Sequence, residues 1–236
     1  MGVKVFEFLR RGDGIDAEQF HRAWREHAHA FAGTPSARRH VHRYELNHRL
    51  PEDYERERND LEVSDTGFDG VSVMWFESAD EQRALQGEAA FAELDTVDRR
   101  RFSAERTLRV VTHEAAVIVD KPGRNTAEAK MLCILRRNPA LDPVTFHAHW
   151  LRNHGGMFQR IDELNAPLIG YDQNHGVDPD AEFDGVTEQW FASLQTFAAS
   201  LHAPAHRTDV EPDVAYMLDP ASIHFIMAGR PTVVIG

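Results

Sequence analysis

Apolar and polar positions along the chain switch between two periods, and the same order of switches occurs twice. Residues 3–9 (VKVFEFL) are dense in β-formers, the mark of a strand. After the turn GDGID, Phe20, Trp24 and His27 recur at helical spacing on one face. Asp16 and Gln19 stand at capping-box spacing where that helix would begin. YELNH (44–48) alternates as a strand, and FDGVSVMWF (68–76) is another behind an Asp-Gly turn signal. Ser78 and Glu81 suggest a second capping box, for a helix reaching to about Phe91. TLRVVTHEAAVIV (107–119) closes the series as a strand.

The series then repeats. KMLCILRR (130–137) matches KVFEFLRR (4–11), and DPVTFHAHW (142–150) matches DAEQFHRAW (16–24), both at an offset of 126. YDQNH (171–175) matches YELNH at 127, so one residue has been inserted in between. FDGVTEQWF (183–191) matches FDGVSVMWF at 115, so the second copy lacks 12 residues of the preceding loop. SIHFIMAGRPTVVI (222–235) supplies the second closing strand. Asp142 caps the second copy's helix, with Pro143 at its first position. The repeats are residues 1–119 and 130–236, joined by the polar, Pro-Gly-bearing linker 120–129. Each reads as a βαββαβ unit of the ferredoxin-like kind, an α+β fold with two helices on one face of a four-stranded antiparallel sheet. The other face needs a cover, and the second copy supplies it. The expectation is an intrachain α+β barrel.

Composition narrows the function. The chain has 236 residues, 42% of them hydrophobic, with no apolar run long enough to span a bilayer and no signal-peptide pattern. A cytoplasmic protein is expected. A net charge of −12 disfavours a phosphate-backbone partner, so neither nucleic acid nor membrane is expected. The lone cysteine, Cys133, lies in an apolar strand and reads as inert packing. Glu7 interrupts the matching strand, and burial there would raise its pKa. The charged loop 49–67 reads as a flap or an interface arm.

The candidate chemistry lies on converging faces. On a strand, Tyr44 and His48 share a side, as do Tyr171, Gln173 and His175. His27 and His154 lie on the apolar stripe of their helices, so each repeat brings a helix histidine towards a strand tyrosine and histidine. Such a cluster in an apolar wall suits a small-molecule pocket. The second repeat also places Glu188 and Gln189 where the first has Val73 and Met74, and buried polar groups need partners. In HAHW, His147 and His149 diverge on the helix. No zinc pattern or heme-attachment motif is present. No metal is expected.

The F…W…H helix, Y-x-x-N-H, DG-x-x-x-WF and the late Glu114 resemble the EthD family of the dimeric α+β barrel superfamily, here as a tandem in one chain. The resemblance implies a pocket between sheet and helices in each half. The positions it carries over are His27, Tyr44 and His48 in the first half, with the late Glu114, and His154, Tyr171 and His175 in the second. Of these, the polar Glu188 and Gln189 and the Trp150-to-His154 spacing favour a catalytic His154, Tyr171 and His175, with Trp150, Gln189, His27, Tyr44, His48 and Glu114 contacting substrate. The glutamate has no counterpart at Gly229, so the halves are not equivalent. The function expected is that of a cofactor-independent lyase or isomerase acting on a small, apolar, oxygenated substrate such as a phenolic, lactone or polyketide-like compound. Histidine and tyrosine suffice for that proton transfer. The alternatives are an oxygenase or heme-binding enzyme of the same superfamily, and a non-catalytic small-molecule-binding protein. Outer faces leave room for a homodimer.

Overall fold

The computed structural model describes residues 2–56, 67–95, 99–104 and 107–236. Its strands are β1 (Val3–Leu9), β2 (Arg43–His48), β3 (Gly70–Phe76), β4 (Leu108–His113), β5 (Ala116–Asp120), β6 (Ala129–Leu135), β7 (Leu168–His175), β8 (Gly185–Phe191), β9 (His224–Ala228) and β10 (Thr232–Ile235). The first repeat's helices are α1 (Ala17–Ala32), α2 (Pro35–His40), α3 (Pro51–Arg56), α4 (Ala79–Gly87) and α5 (Ala89–Glu93). In the second, α6 (Pro143–His149) runs through a π-turn (Trp150–His154) into α7 (Gly155–Arg160). α8 (Asp162–Asn165) and α9 (Leu194–Leu201) come next, and a second π-turn (His206–Val210) leads into α10 (Glu211–Met217). None of the described helices is long and apolar enough to cross a membrane.

The fold is α+β, with two antiparallel sheets ordered β10-β2-β3-β1-β4 and β5-β7-β8-β6-β9. Each has five strands rather than the expected four, because both closing segments break. The first breaks at Glu114 and Ala115, and β5 pairs with β7. The second breaks at residues 229–231, where Pro231 has no N–H for the ladder, and β10 pairs with β2. The compact units therefore cut across the linear repeats. Unit 1 is Met1–Arg49, Gly67–Glu114 and Pro231–Gly236, and unit 2 is Leu50–Thr66 with Ala115–Arg230.

Two segments read as connections are anchored in unit 2. In the stretch 120–129, Arg124 donates to Asp172 at 2.8 Å and lies 4.4 Å over the Trp190 ring. From the loop 49–67, the Leu50 N–H donates to Met227 O at 2.8 Å, and the buried Asp53 carboxylate accepts from Met227 N at 3.0 Å. β9 is an edge strand, and these two bonds blunt its free edge. Residues 57–66, most of the expected flap, lie outside the described residues.

The helices start as their caps dictate. Asp16 and Gln19 form both bonds of the capping box, at 2.8 and 3.0 Å. Ser78 completes only half of one, because the Glu81 side chain turns to His40 instead of returning to the cap. Trp24 and Trp150, on the buried stripes of α1 and the α6 continuation, press against Gly70 and Gly185. That contact, more than turn chemistry, explains the repeated Asp-Gly pair. The glycines leave room for the indole, and the aspartates accept from the backbone N–H of Arg11 and Arg137, both at 2.7 Å.

A Cβ on Gly185 would lie 2.4 Å from Asn174 O and 2.7 Å from the Trp150 ring. Gly185→Ala should therefore cost about 1–3 kcal/mol of stability, as overpacking does. Chemical denaturation of the variant beside wild type measures it.

Candidate active site

In unit 2 the sheet turns Met131 and Cys133 of β6, Thr187 and Gln189 of β8 and Phe225 of β9 towards its helices. Between this face and the helices lies a cavity of about 1030 Å³. Its walls are mostly apolar, with Phe158, Phe191 and Phe197 among them. That is the size and character of a small-molecule site. Burial pushes the Cys133 thiol up to about 12, so it is a packing residue here.

His154 borders the cavity, with Nδ1 2.8 Å from Asp213 Oδ2 on α10. Asp213 also holds His149 Nε2 at 2.6 Å through its other oxygen. Burial works against the Asp213 charge, but the hydrogen bonds from His154 and His149 outweigh it and keep the carboxyl below its usual range. An ionised carboxylate fixes the tautomer: Nδ1 carries the proton and Nε2 is the nitrogen left for other chemistry. The π-turn explains the placement. Gly155 N–H bonds Trp150 O, five residues back, so the inserted residue is absorbed within this turn. His154 then sits buried four residues after Trp150, the position that the buried Ala28 holds after Trp24. His27 is only half-buried, against Phe102 at the flank of α1.

The other expected residues of this half stand behind the wall. Tyr171, Gln173 and His175 do share the helix-facing side of β7. Gln173 Nε2 donates to Trp150 O at 2.8 Å and to the Tyr171 hydroxyl at 2.9 Å. Its Oε1 accepts from His175 Nε2 at 3.3 Å, so in the neutral His175 ring Nδ1 accepts from His147 Nδ1 at 2.8 Å. Tyr171 is fully buried, which raises its pKa, and its ring stands 6.5 Å from that of His154. Trp150 is likewise fully buried, 4.3 Å from the His175 ring. His175 thus meets His147 of α6, well before the expected helix histidine. Gln189 does line the cavity. Glu188 faces the opposite side of the sheet, paired with Lys130 at 2.7 Å and accepting from Asn174 at 3.1 Å.

In unit 1 the matching sheet position is filled by charge. Glu7 pairs across the sheet with Ser72 and Arg109, as Cys133 pairs with Thr187 and Phe225. It accepts from Arg99 at 2.9 Å and from Ser72 at 3.1 Å, with Arg109 3.8 Å away. Glu7 is buried as expected, but its pKa is lowered, not raised. Desolvation pushes it up, and the Arg99 and Arg109 guanidiniums more than reverse that. Tyr44 is buried beside this network, 5.9 Å from Phe31. His48 packs against His21 and Trp24 at 4.8 and 4.9 Å, and burial brings its pKa to about 3. Glu114 is exposed at the end of β4. The structure does not bring His27, Tyr44, His48 and Glu114 around a common space.

Asp213, His206 and His147 were not singled out by sequence reasoning. Asp213 and His206 lie outside every repeated motif, while His147 belongs to HAHW, whose two histidines diverge on the helix. Among the described residues no three His, Cys, Asp or Glu side chains are grouped to hold a metal ion.

Comparison places this geometry in a lineage. The EthD domain family matches residues 12–106 and 138–221, one segment in each repeat. The chain belongs to the EthD family. Among solved structures, an anthrone oxidase-like protein superposes with a TM-score of 0.67 at 9% identity, covering 99% of this chain and 93% of its own. A mutant chlorite dismutase from Candidatus Nitrospira defluvii gives 0.51 at 10% identity, covering 97% and 91%. At such identities the likeness is one of fold. No curated protein sequence matches the chain. Within this EthD tandem, unit 2 has a cavity wall at Cys133 where, among the described residues of unit 1, Glu7 is ion-paired.

The folded-state pKa of Glu7 is below its ordinary 4.5, so its contribution to stability is present above about pH 4.5 and is lost as pH falls through the folded value. Glu7→Gln should flatten the acid side of the stability–pH profile and lower stability at neutral pH, by taking the buried carboxylate away from Arg99 and Arg109. Urea unfolding from pH 3 to 7 checks both.

Proposed function

We propose that the unit 2 cavity is the active site of a cofactor-independent lyase or isomerase acting on a small, largely apolar, oxygenated compound of phenolic, lactone or polyketide-like type. The observation that carries this is His154, held through Nδ1 by the ionised Asp213 at the wall of an apolar cavity. Orientation of one imidazole nitrogen by a carboxylate leaves the other to give or take a proton. Gln189, on the same wall, is the residue to hold a substrate oxygen. Tyr171, Gln173 and His175 brace the wall behind His154, with the Gln173 amide clasping the π-turn through Trp150 O.

An oxygenase is the second reading, supported by the fold shared with the anthrone oxidase-like protein. The two readings share a first step, removal of a proton from carbon conjugated with a carbonyl, and part at the fate of the enolate. In one it is reprotonated at another atom. In the other it reduces molecular oxygen.

Anthrone, a tricyclic ketone with an acidic methylene, serves as the probe. Under nitrogen in D₂O the protein should accelerate deuterium uptake at that methylene, read by NMR, and no acceleration would sink the proposal. Protein-dependent oxygen consumption in air would favour the oxygenase. A Soret band lost in His154→Gln would assign His154 to heme instead. His154→Gln should slow exchange by about 10²–10⁴-fold, and Asp213→Asn in the same direction by less.

A further inference from the structure

The cavity holds a second imidazole paired with a carboxylate. His206 borders the same space as His154, and its Nδ1 lies 3.5 Å from Glu211 Oε1. Glu211 itself lines the cavity, and its carboxylate faces Nδ1 across a longer gap than the 2.8 Å hydrogen bond that Asp213 makes to His154. Both histidines are set by the same backbone device. His154 ends one π-turn, His206 begins the other, and Glu211 N–H bonds His206 O five residues back. Such turns are rare and concentrate at functional sites. Their pairing on one cavity is the second observation.

Resting on the proton-transfer reading of this cavity, we infer that His206 is a second catalytic residue, the base that takes the carbon-bound proton while His154 acts on the substrate oxygen. The division of labour comes from charge. His206 faces Glu211 from α10, His154 from the α6–α7 turn, and His202 from the end of α9, with Arg207 beside it. Burial first, then the charges of His154 and His202, lower its pKa against the pull of Glu211. His154 Nδ1–H is bound by an ionised carboxylate, which stabilises its imidazolium, so the assignment makes His154 the donor at Nε2 and His206, with its ring proton turned towards Glu211, the acceptor at Nε2. The C–H bond conjugated with the carbonyl breaks, its proton goes to His206 Nε2, and the electron pair is delocalised onto oxygen. That oxygen takes the proton of His154 Nε2, giving the enol with neutral His154 and protonated His206. Return of the proton from His206 to a different carbon, and of the enol proton to His154, restores the enzyme and yields the isomer.

Two measurements test the assignment, one of them without substrate. In a carbon-13 NMR titration of the full-length protein, His206 should titrate below 6.5. Its midpoint should move up in His154→Gln, which removes a positive neighbour, and down in Glu211→Gln, which removes a negative one. Unchanged midpoints in both variants would overturn the inference. In the anthrone exchange assay, His206→Gln should lower the rate by about 10²–10⁴-fold and abolish the acidic limb of the pH–rate profile. Glu211→Gln, the milder variant, should slow exchange by less than His206→Gln and shift that limb to lower pH. Exchange by wild type with an unaltered rate and profile in His206→Gln would refute the role of His206 and leave the His154 proposal standing. No exchange by wild type would remove both.

Discussion

A carboxylate taken out of water loses more free energy than a whole domain has to spare, unless cations and donors meet it at once. That constraint decides what each EthD unit can be. Glu7 sits in the middle of the helix-facing side of its sheet, and Arg99, Arg109 and Ser72 close around it. Every one of those groups occupies volume between sheet and helices. The second unit has Cys133, Thr187 and Phe225 in the matching cross-strand positions. None demands a charged partner, and all three line the cavity. One strand position is an ion-paired acid in one copy and a thiol at a cavity wall in the other.

The second difference is a single inserted residue. A helix accommodates one extra residue as a π-turn, which breaks its regular bonding for one turn and reorients the residues beyond it. Here the insertion carries His154 to the buried slot that Ala28 fills in the other repeat. Trp150, whose ring is locked against Gly185, fixes the helix on the N-terminal side. Gln173 fixes the turn itself by taking up Trp150 O. The strand below and the helix above thus hold the irregular turn in place, and Asp213 on α10 meets the histidine that results.

These features were unequally legible in the chain. The duplication, the strand and helix order and the α1 capping box come from periods and spacings that are local. The exchange of β5 and β10 does not, because strand-forming apolar residues resume directly after each break and only two or three residues mark the crossing. The shared face of Tyr171, Gln173 and His175 was readable from strand alternation. The residues opposite them were not, since the helix position in reach is set by a π-turn that the offset of 127 only hints at. Asp213 and His206 carry no motif, and their places come from the tertiary fold alone. The expected raised pKa of Glu7 failed for the same reason: burial could be read from the apolar run, but the guanidiniums come from a strand and a turn about a hundred residues away.

Joining two copies in one chain changes what selection can do with them. In a symmetric homodimer a substitution appears in both sites, so an acid placed at the Glu7 position would fill both pockets with charge. In a tandem, one copy can take the acid and its arginines while the other keeps the open layer. The same freedom applies to the insertion before His154 and to the pair Lys130 and Glu188, which has Lys4 and Val73 at the matching places. On this argument the ion pairs around Glu7 and the cavity wall at Cys133 are two outcomes of one duplicated strand position. A cavity of about 1030 Å³ forfeits packing contacts that a filled core would make. Each unit's sheet also includes a strand from the other repeat, so neither repeat completes its sheet with its own residues alone.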